Sequence, residues 1–171
     1  MAIIIDTGVF YSFFDTKDEY YLDSVALLSH CVEGKYGRPF TTDYVELEVT
    51  TLLQRRLGAD VSLAFLDFIR DNRIDVFTVS AGYYESVLAT FRKEFKRLSF
   101  CDSGTVVAMN ELTISLLASY DRRSFTDLVG EMLGVGYFKS LTEAEQSAVR
   151  KSIGKVKPGA VSRLVREDRD S

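Results

Sequence analysis

Short apolar runs separated by polar turns mark the predicted strands of this chain. The first run, Ala2–Ile5, is rich in β-branched residues, and the polar Asp6 and the glycine at position 8 end it. Such a run is typical of a strand that is buried on both faces. Similar runs predict strands over residues 40–42, 74–79 and 113–119, and residues 135–138 are predicted to form a last short strand or an ordered turn.

Between these runs, apolar residues recur every three or four positions, which predicts amphipathic helices. Tyr21, Val25 and Leu28 show this spacing, and Gly34 ends their helix. Strands that alternate with helices predict an α/β domain, in which helices flank a central and mainly parallel sheet in three layers. The predicted helices cover residues 18–32, 44–57, 59–70, 83–95 and 100–111, and a capping-box pattern at residues 142–145 opens a further helix to about residue 153.

The size and composition of the chain fit one domain with its own core, because it has 171 residues and 46% of them are hydrophobic. A charged content of 27% and a mean hydropathy near zero exclude disordered and low-complexity classes. The first residues lack the features of a signal peptide, and no apolar stretch approaches a membrane span, so we expect a cytoplasmic protein without membrane contact. We assign residues 1–139 to the domain and residues 140–171 to a helical and charged C-terminal extension, whose last dozen residues we expect to be poorly ordered or to bind a partner.

Acidic residues outnumber basic ones, by 25 Asp and Glu to 21 Lys and Arg, for a net charge of -4. Residues 140–171 hold seven basic and five acidic residues, so residues 1–139 carry a net charge of -6. This balance excludes a histone-like polycation. It does not exclude a nuclease, because a nuclease can carry carboxylates at the cut site and cations around it.

Cysteine and histidine are too scarce for a zinc site, since the chain has Cys31, Cys101 and a single histidine, His30, in no ligand pattern. A bound metal would therefore be a hard cation with oxygen ligands, such as Mg²⁺ or Mn²⁺. For His30, near the end of a predicted helix, we expect a structural role. A serine or cysteine nucleophile would depend on this one histidine and lacks an elbow motif, so we set that mechanism aside.

Two aspartates follow predicted strands directly. Asp6 follows the first strand, and Asp121 follows the strand that ends near Ser119. Because parallel strands end at the same edge of a sheet, both carboxylates are expected at that edge. Each alone could be only a helix N-cap.

Further acids lie on predicted helices. Asp43 and Glu46 have capping-box spacing, which would explain Glu46 structurally, whereas Glu48 lies at the edge of an apolar stripe, where an acid needs solvent or a cation. Asp102 also has capping-box spacing, from Ser99, so its carboxylate could serve either the helix start or a metal.

These residues together resemble the PIN-domain ribonucleases, a family that includes the VapC-type toxins of toxin–antitoxin pairs. The resemblance covers residues 2–138, and the motifs appear in the family's order: Ile-Ile-Ile-Asp6-Thr7, Thr-Thr-Asp-Tyr-Val-Glu-Leu-Glu48, Leu-Ser-Phe-Cys-Asp102 and Ser119-Tyr-Asp121. By this similarity, Asp6, Glu48, Asp102 and Asp121 match the acidic quartet and Thr7 the hydroxyl residue after the first acid. The resemblance selects Glu48 over Glu46. The chain departs from archaeal-type relatives after Asp121, where Arg122-Arg123-Ser124-Phe125 stands in place of Arg-His-Phe.

The resemblance implies a metal-dependent endoribonuclease that uses Mg²⁺ or Mn²⁺. Four carboxylates around one cleft raise one another's pKa, and divalent cations relieve that repulsion and acidify the attacking water. We predict Asp6 and Asp102 as direct ligands, with Glu48 and Asp121 completing the site directly or through water, and Thr7 as an orienting hydroxyl.

Exposed cations are expected to contact the RNA phosphates. Arg122 and Arg123 follow an active-site acid directly. Arg92, Lys93 and Lys96 lie near a helix end, where they could equally be macrodipole partners. We expect single-stranded or looped RNA, because it fits an open groove at these acids and cations better than a duplex does.

The resemblance also implies partners, namely an RNA substrate, a small antitoxin protein and a second copy of the chain in a homodimer. Two alternatives remain open at this stage: a housekeeping RNA-processing nuclease of the same fold without antitoxin, and a catalytically inactive PIN-like RNA-binding protein. A haloacid-dehalogenase phosphatase would need an aspartate at position 8, which is glycine.

Overall fold

A five-stranded parallel sheet forms the centre of the fold. The computed structural model describes residues 1–154. The strands lie in the order β3-β2-β1-β4-β5, and every neighbouring pair is parallel, which confirms the predicted α/β class. Their bounds are Ala2–Ile5 for β1, Arg38–Thr42 for β2, Asp75–Phe77 for β3, Leu116–Ala118 for β4 and Glu131–Leu133 for β5.

Helices cover both faces of this sheet and produce the expected three layers. Ile3 and Ile5 of β1 point into one core, and Ile4 points into a second core on the opposite face, as the alternation of side chains along a strand requires. The bounds are Thr7–Phe14 for α1, Tyr21–Val32 for α2, Asp43–Arg56 for α3, Ala59–Asp71 for α4, Tyr84–Glu94 for α5, Phe100–Leu112 for α6, Arg122–Phe125 for α7, Tyr137–Ser140 for α8 and Glu143–Gly154 for α9. Helices α1 to α4 and α9 pack on the first core, and α5 and α6 pack on the second.

The strand order changes direction at β1, which pairs with β2 on one side and β4 on the other. Ligand sites of open α/β sheets lie at such a switch point, beyond the carboxyl ends of the strands. In the register of the sheet, Ile5 lies beside Ala118, and the N–H of Asp6 donates to the carbonyl of Ala118 at 3.0 Å. The ends of β1 and β4 are therefore joined by a backbone hydrogen bond at the first acid.

Two strands differ from the sequence predictions. The strand predicted over residues 113–119 begins only at Leu116, because Thr113 ends α6 in the left-handed region at φ 54° and the N–H of Ile114 donates back to Met109. The last strand is β5, which lies before the predicted residues 135–138. Residues 135–138 contain a turn through Gly136 at φ 80° and the start of α8, so of the two predicted alternatives the structure has the ordered turn and not the strand.

Helix α1 was missed by the periodicity analysis, since its eight residues are mostly apolar and show no polar face. The capping box predicted from Asp43 to Glu46 was also wrong. Thr42 is the N-cap of α3 and accepts from the N–H of Val45. The carboxylate of Asp43 accepts instead from the N–H of Val79, at 2.8 Å, and so closes the segment after β3.

The C-terminal helix α9 packs against α2, and Val149 is buried in the first core. Its predicted capping box is confirmed, because Glu145 and Thr142 exchange side-chain and backbone hydrogen bonds. The domain boundary at residue 139 stays a prediction, and the end of the predicted extension, residues 155–171, lies outside the described residues. Within residues 1–154, no helix is both long and apolar enough to cross a membrane.

Candidate active site

Asp6 occupies the N-cap position of α1 without acting as a side-chain cap. An N-cap aspartate ordinarily accepts from the backbone N–H groups of the first turn. Here the carboxylate is buried, and its Oδ2 accepts from the hydroxyl of Ser119 at 2.7 Å. Its Oδ1 is buried with no hydrogen-bond partner among residues 1–154. The N-cap explanation therefore does not account for Asp6.

The surroundings of Asp6 raise its pKa to about 7. Burial is the largest cause, and the charges of Asp102 and Glu48 raise the pKa further, whereas the hydroxyl of Ser119 and the backbone N–H of Thr7 lower it. Such a carboxylate is only partly ionised at neutral pH without a nearby cation.

Glu48 is half-buried on α3 and is tied to the residue after Asp6. The hydroxyl of Thr7 donates to Oε2 of Glu48 at 2.5 Å. Of the two helical acids that the spacing left open, Glu48 is the one whose charge acts on both Asp6 and Asp102. The geometry thus agrees with the choice of Glu48 over Glu46.

Asp102 has the helix-start role that its spacing allowed, and it also lies near other acids. It forms a capping box with Ser99 at the start of α6, as its Oδ2 accepts from the N–H of Ser99 at 2.8 Å. Burial raises the pKa of Asp102, and the charges of Glu48 and Asp121 add to this effect. The cap thus holds Asp102 beside the other acids.

Asp121 is the most exposed of the four and does act as a cap. Both of its carboxylate oxygens accept from Ser124, one from the N–H at 3.0 Å and one from the hydroxyl at 2.5 Å. Its own N–H donates to the hydroxyl of Ser119, which joins it to Asp6. We call Asp6, Glu48, Asp102 and Asp121 the acid cluster.

Cys101, which the sequence pattern showed only as an isolated thiol, is a neighbour of the acid cluster in the structure. Burial raises the pKa of Cys101, and the charges of Glu48 and Asp6 raise it further. The thiol therefore lies among the acids, unionised. Its position directly before Asp102 was the only signal in the sequence.

The donors of the acid cluster fit a hard divalent cation. All four side chains offer oxygens, which Mg²⁺ and Mn²⁺ prefer, and the unpartnered Oδ1 of Asp6 is a buried acceptor that a cation would satisfy. In the part of the chain that the structure describes, no group of three or more Asp, Glu, His or Cys side chains has the arrangement that holds a metal ion.

The cations predicted to contact RNA are all exposed. Arg122 and Arg123 form the first turn of α7, directly after Asp121, and Arg92, Lys93 and Lys96 lie at the end of α5 and just beyond it. The neighbouring Arg97 is different, because it bonds to Glu94 and to the carbonyl of Thr126. Arg97 thus joins the end of α5 to the loop after α7.

His30 has the structural role expected for it. Its Nδ1 lies 2.6 Å from the hydroxyl of Tyr137, and burial lowers its pKa. Phe13 and Phe14, which follow the first acid, pack their rings against Phe68 of α4 and so belong to the core.

Curated VapC proteins are similar to this chain in sequence. A VapC ribonuclease of Archaeoglobus fulgidus is 35% identical over 153 residues, which span 87% of the chain and 93% of that protein. Ribonuclease VapC26 of Mycobacterium tuberculosis is 24% identical over 127 residues, which span 74% of the chain and 91% of that protein. No protein-family model matches the chain.

A solved structure has a similar fold. It is VapC20 of Mycobacterium tuberculosis, described as a toxin that cleaves the sarcin–ricin loop. The TM-score is 0.64 at 21% identity, and the match covers 75% of the chain and 98% of VapC20. At 21% identity this comparison shows a shared fold, and the shared fold extends over nearly all of VapC20.

Proposed function

Because this chain belongs to the VapC family of PIN-domain ribonucleases, we propose that it hydrolyses RNA phosphodiester bonds at the acid cluster, as the toxin of a toxin–antitoxin pair. One observation carries the site assignment. Asp6 is buried at a strand end, has an unpartnered oxygen, and has a pKa of about 7 that neighbouring acids help to raise. A buried acid in this state is expensive unless it serves a ligand.

We further propose that the activity depends on Mg²⁺ or Mn²⁺. Asp6 and Asp102 would hold the ion directly, with Glu48 and Asp121 completing the site directly or through water. When bound, the ion acidifies the attacking water and neutralises charge that develops on the phosphate. The exposure of Asp121 and the engagement of both its oxygens by Ser124 support contact through water.

Two hydroxyls of the chain orient these acids. The hydroxyl of Ser119 donates to Oδ2 of Asp6, which leaves Oδ1 as the oxygen that would bind the metal ion. Thr7 holds Oε2 of Glu48 and thereby fixes a half-buried side chain that would otherwise have several rotamers. At neutral pH without a cation, Asp6 retains a proton for part of the time, and ligand binding would release it.

The RNA substrate would be held by its phosphates. Arg122 and Arg123 are the first candidates, because they follow Asp121 directly and are exposed. Arg92, Lys93 and Lys96 would extend the contact along α5. Exposed cations of this kind position a strand without reading its sequence.

Partners are part of the proposal as well. The toxin assignment implies a small antitoxin protein, and the names of the relatives support it over a housekeeping nuclease and over an inactive RNA-binding protein. The homodimer stays a prediction, which sedimentation of the purified chain would test. We also propose a cytoplasmic site of action.

The test is cleavage of a labelled structured RNA in Mn²⁺ and in EDTA, by the full chain and by Asp6→Asn and Asp102→Asn. Asp67→Asn is the matched control, because Asp67 is an exposed aspartate on α4 whose charge is not among those that raise the pKa of Asp6 or Asp102. Calorimetric titration of each protein with Mn²⁺ gives a readout that is independent of RNA.

We expect cleavage and Mn²⁺ binding by the unaltered chain and by Asp67→Asn, and loss of both in the two cluster variants. Cleavage in EDTA, or equal cleavage by all four proteins, would overturn the metal site. Failure to cut any RNA, with Mn²⁺ binding intact, would favour the RNA-binding alternative.

A further inference from the structure

Three aromatic rings lie together on one side of the second core. Phe100 begins α6, Tyr44 lies in the first turn of α3, and Tyr84 begins α5. The rings of Tyr44 and Phe100 are stacked, with centroids 5.6 Å apart and planes at 30°. The ring of Tyr84 lies 6.1 Å from that of Phe100. We call these three residues the ring cluster.

The ring cluster adjoins the acid cluster on α3. Tyr44 and Glu48 are four residues apart and therefore lie on the same helix face. On α6, Phe100 and Asp102 lie in the same first turn but on different faces of the helix. Cys101, whose thiol lies among the acids, stands between Phe100 and Asp102 in the chain.

Close packing holds the inner rings in place. A Cβ on Gly104 would lie only 2.7 Å from Cδ2 of Tyr44, so the ring of Tyr44 rests on the bare backbone of α6. Phe91 of α5 supports Phe100 from another side, with ring centroids 5.6 Å apart. The rings are therefore pre-positioned and lose little freedom when a ligand binds.

The outer ring is open to solvent. Tyr84 is 49% exposed, although its neighbours in the cluster are half-buried. A large aromatic side chain exposed on a fixed aromatic support is the arrangement on which nucleic-acid bases stack. The exposed cations Arg92 and Lys93 directly follow Phe91 on the same helix.

We propose that Tyr84, supported by Phe100 and Tyr44, is a base-stacking site for an unpaired nucleotide of the RNA that lies in the acid cluster. The inference rests on the proposed function, since it assigns the substrate a second point of contact beside the cut site. RNA is favoured as the occupant because Tyr44 shares a face of α3 with Glu48 of the acid cluster, and because the exposed Arg92 lies about two turns beyond Tyr84 on α5, where it would contact a phosphate of the same strand. Stacking is tolerant of sequence, so the site would favour an unpaired base over a paired one rather than select among bases.

The experiment measures binding rather than cleavage. A fluorescein-labelled single-stranded RNA is titrated with the full chain in EDTA, and the anisotropy is followed. The same titration uses an RNA of equal length with abasic residues, which keeps the phosphates and removes the bases. The proteins are the unaltered chain, Tyr84→Ala, Tyr84→Phe and Phe95→Ala. Phe95 is the matched control, because it is 60% exposed at the other end of α5.

We expect Tyr84→Ala to weaken binding of the ordinary RNA by about 5- to 150-fold, the range that one stacked base corresponds to. Tyr84→Phe keeps the ring and should bind like the unaltered chain, as should Phe95→Ala. With abasic RNA, Tyr84→Ala and the unaltered chain should bind equally.

Equal binding of ordinary RNA by Tyr84→Ala and the unaltered chain would overturn the proposal, and so would an equal loss with abasic RNA. A change in sedimenting mass of Tyr84→Ala, without a change in RNA affinity, would assign the ring to a protein contact and also overturn it. The two proposals can fail separately. If binding depends on the bases but no RNA is cleaved, the stacking site is supported and the nuclease assignment fails. If RNA is cleaved but Tyr84→Ala has no effect on binding, the nuclease assignment is supported and the stacking site fails.

Discussion

The hydroxyl of Ser119 donates to Oδ2 of Asp6 at 2.7 Å, across the 113 residues that separate them in the chain. The same hydroxyl accepts from the N–H of Asp121 at 3.1 Å. One buried side chain at the end of β4 therefore joins the acid after β1 to the acid after β4. The orientation of the free oxygen of Asp6 depends on this contact.

Removal of the Ser119 hydroxyl should raise the pKa of Asp6 further, because that hydrogen bond lowers it. We expect Ser119→Ala to reduce RNA cleavage near pH 7 by about 10- to 100-fold, the usual cost of losing a partner of a metal ligand. Ser119→Thr keeps the hydroxyl and should retain most of the activity. The measurement is the rate of cleavage against pH, in which the rise of activity should move to higher pH in Ser119→Ala. An unchanged profile would show that the hydroxyl does not tune Asp6.

The raised pKa of Asp6 should make the metal-free protein less stable as pH rises. The folded-state pKa is about 7 and the unfolded value is 3.8, so between these pH values the folded state binds more protons than the unfolded state. The free energy of unfolding should therefore fall as pH rises from about 4 to about 7 and then level off. Urea unfolding in EDTA at several pH values measures this dependence.

Asp6→Asn removes that titration and should flatten the pH dependence. At pH 8 in EDTA we expect it to be more stable than the unaltered chain by on the order of 2–4 kcal/mol, since one pKa unit corresponds to about 1.4 kcal/mol. Asp67→Asn, on the surface of α4, is the control and should leave the slope as it is. A steeper slope in Asp6→Asn would contradict the assignment of the buried proton.

Two helical glycines should respond to alanine with opposite signs. An added Cβ at Gly104 would lie 2.7 Å from Tyr44, whereas at Gly8 the nearest atom, in Tyr120, is at an ordinary 3.5 Å. We expect Gly104→Ala to destabilise the fold by about 1–2 kcal/mol through overpacking, and Gly8→Ala to be neutral or more stable by up to about 1 kcal/mol. Thermal unfolding measures both variants. Stabilisation by Gly104→Ala would mean that the Tyr44 ring yields without cost.

The carboxylate of Asp43 should be important for stability and that of Glu46 should not. Asp43→Ala leaves the N–H of buried Val79 without its acceptor, which costs about 1–3 kcal/mol. The carboxylate of Glu46 does not form the predicted capping box, so Glu46→Ala should change the free energy of unfolding by no more than about 0.5 kcal/mol. Urea unfolding of the pair measures the difference. Equal losses of stability in the two variants would contradict this interpretation and would favour the capping box predicted from the sequence.

Much of the fold follows from local patterns. The isoleucine run of β1, the Ser99–Asp102 capping box and the alternation of strands with helices each depend on neighbouring residues, and the structure confirms all three. Errors arose where distant residues decide the outcome. Asp43 has a local partner in the sequence, yet it bonds to a segment 36 residues away.

For the acid cluster too, some features follow from local sequence and others depend on the tertiary structure. The sequence by itself determined which acids stand at strand ends and helix starts, because strand formation and capping are encoded in short stretches of chain. Only the tertiary structure decided which of them are caps and which is a buried, unpartnered carboxylate, since Asp121 bonds to Ser124 while Asp6 does not cap its helix. The same holds for the ring cluster, whose members come from three helices and meet only when α3, α5 and α6 pack together. Burial and charge coupling depend on that packing, and so the chemistry of the site is a property of the assembled fold.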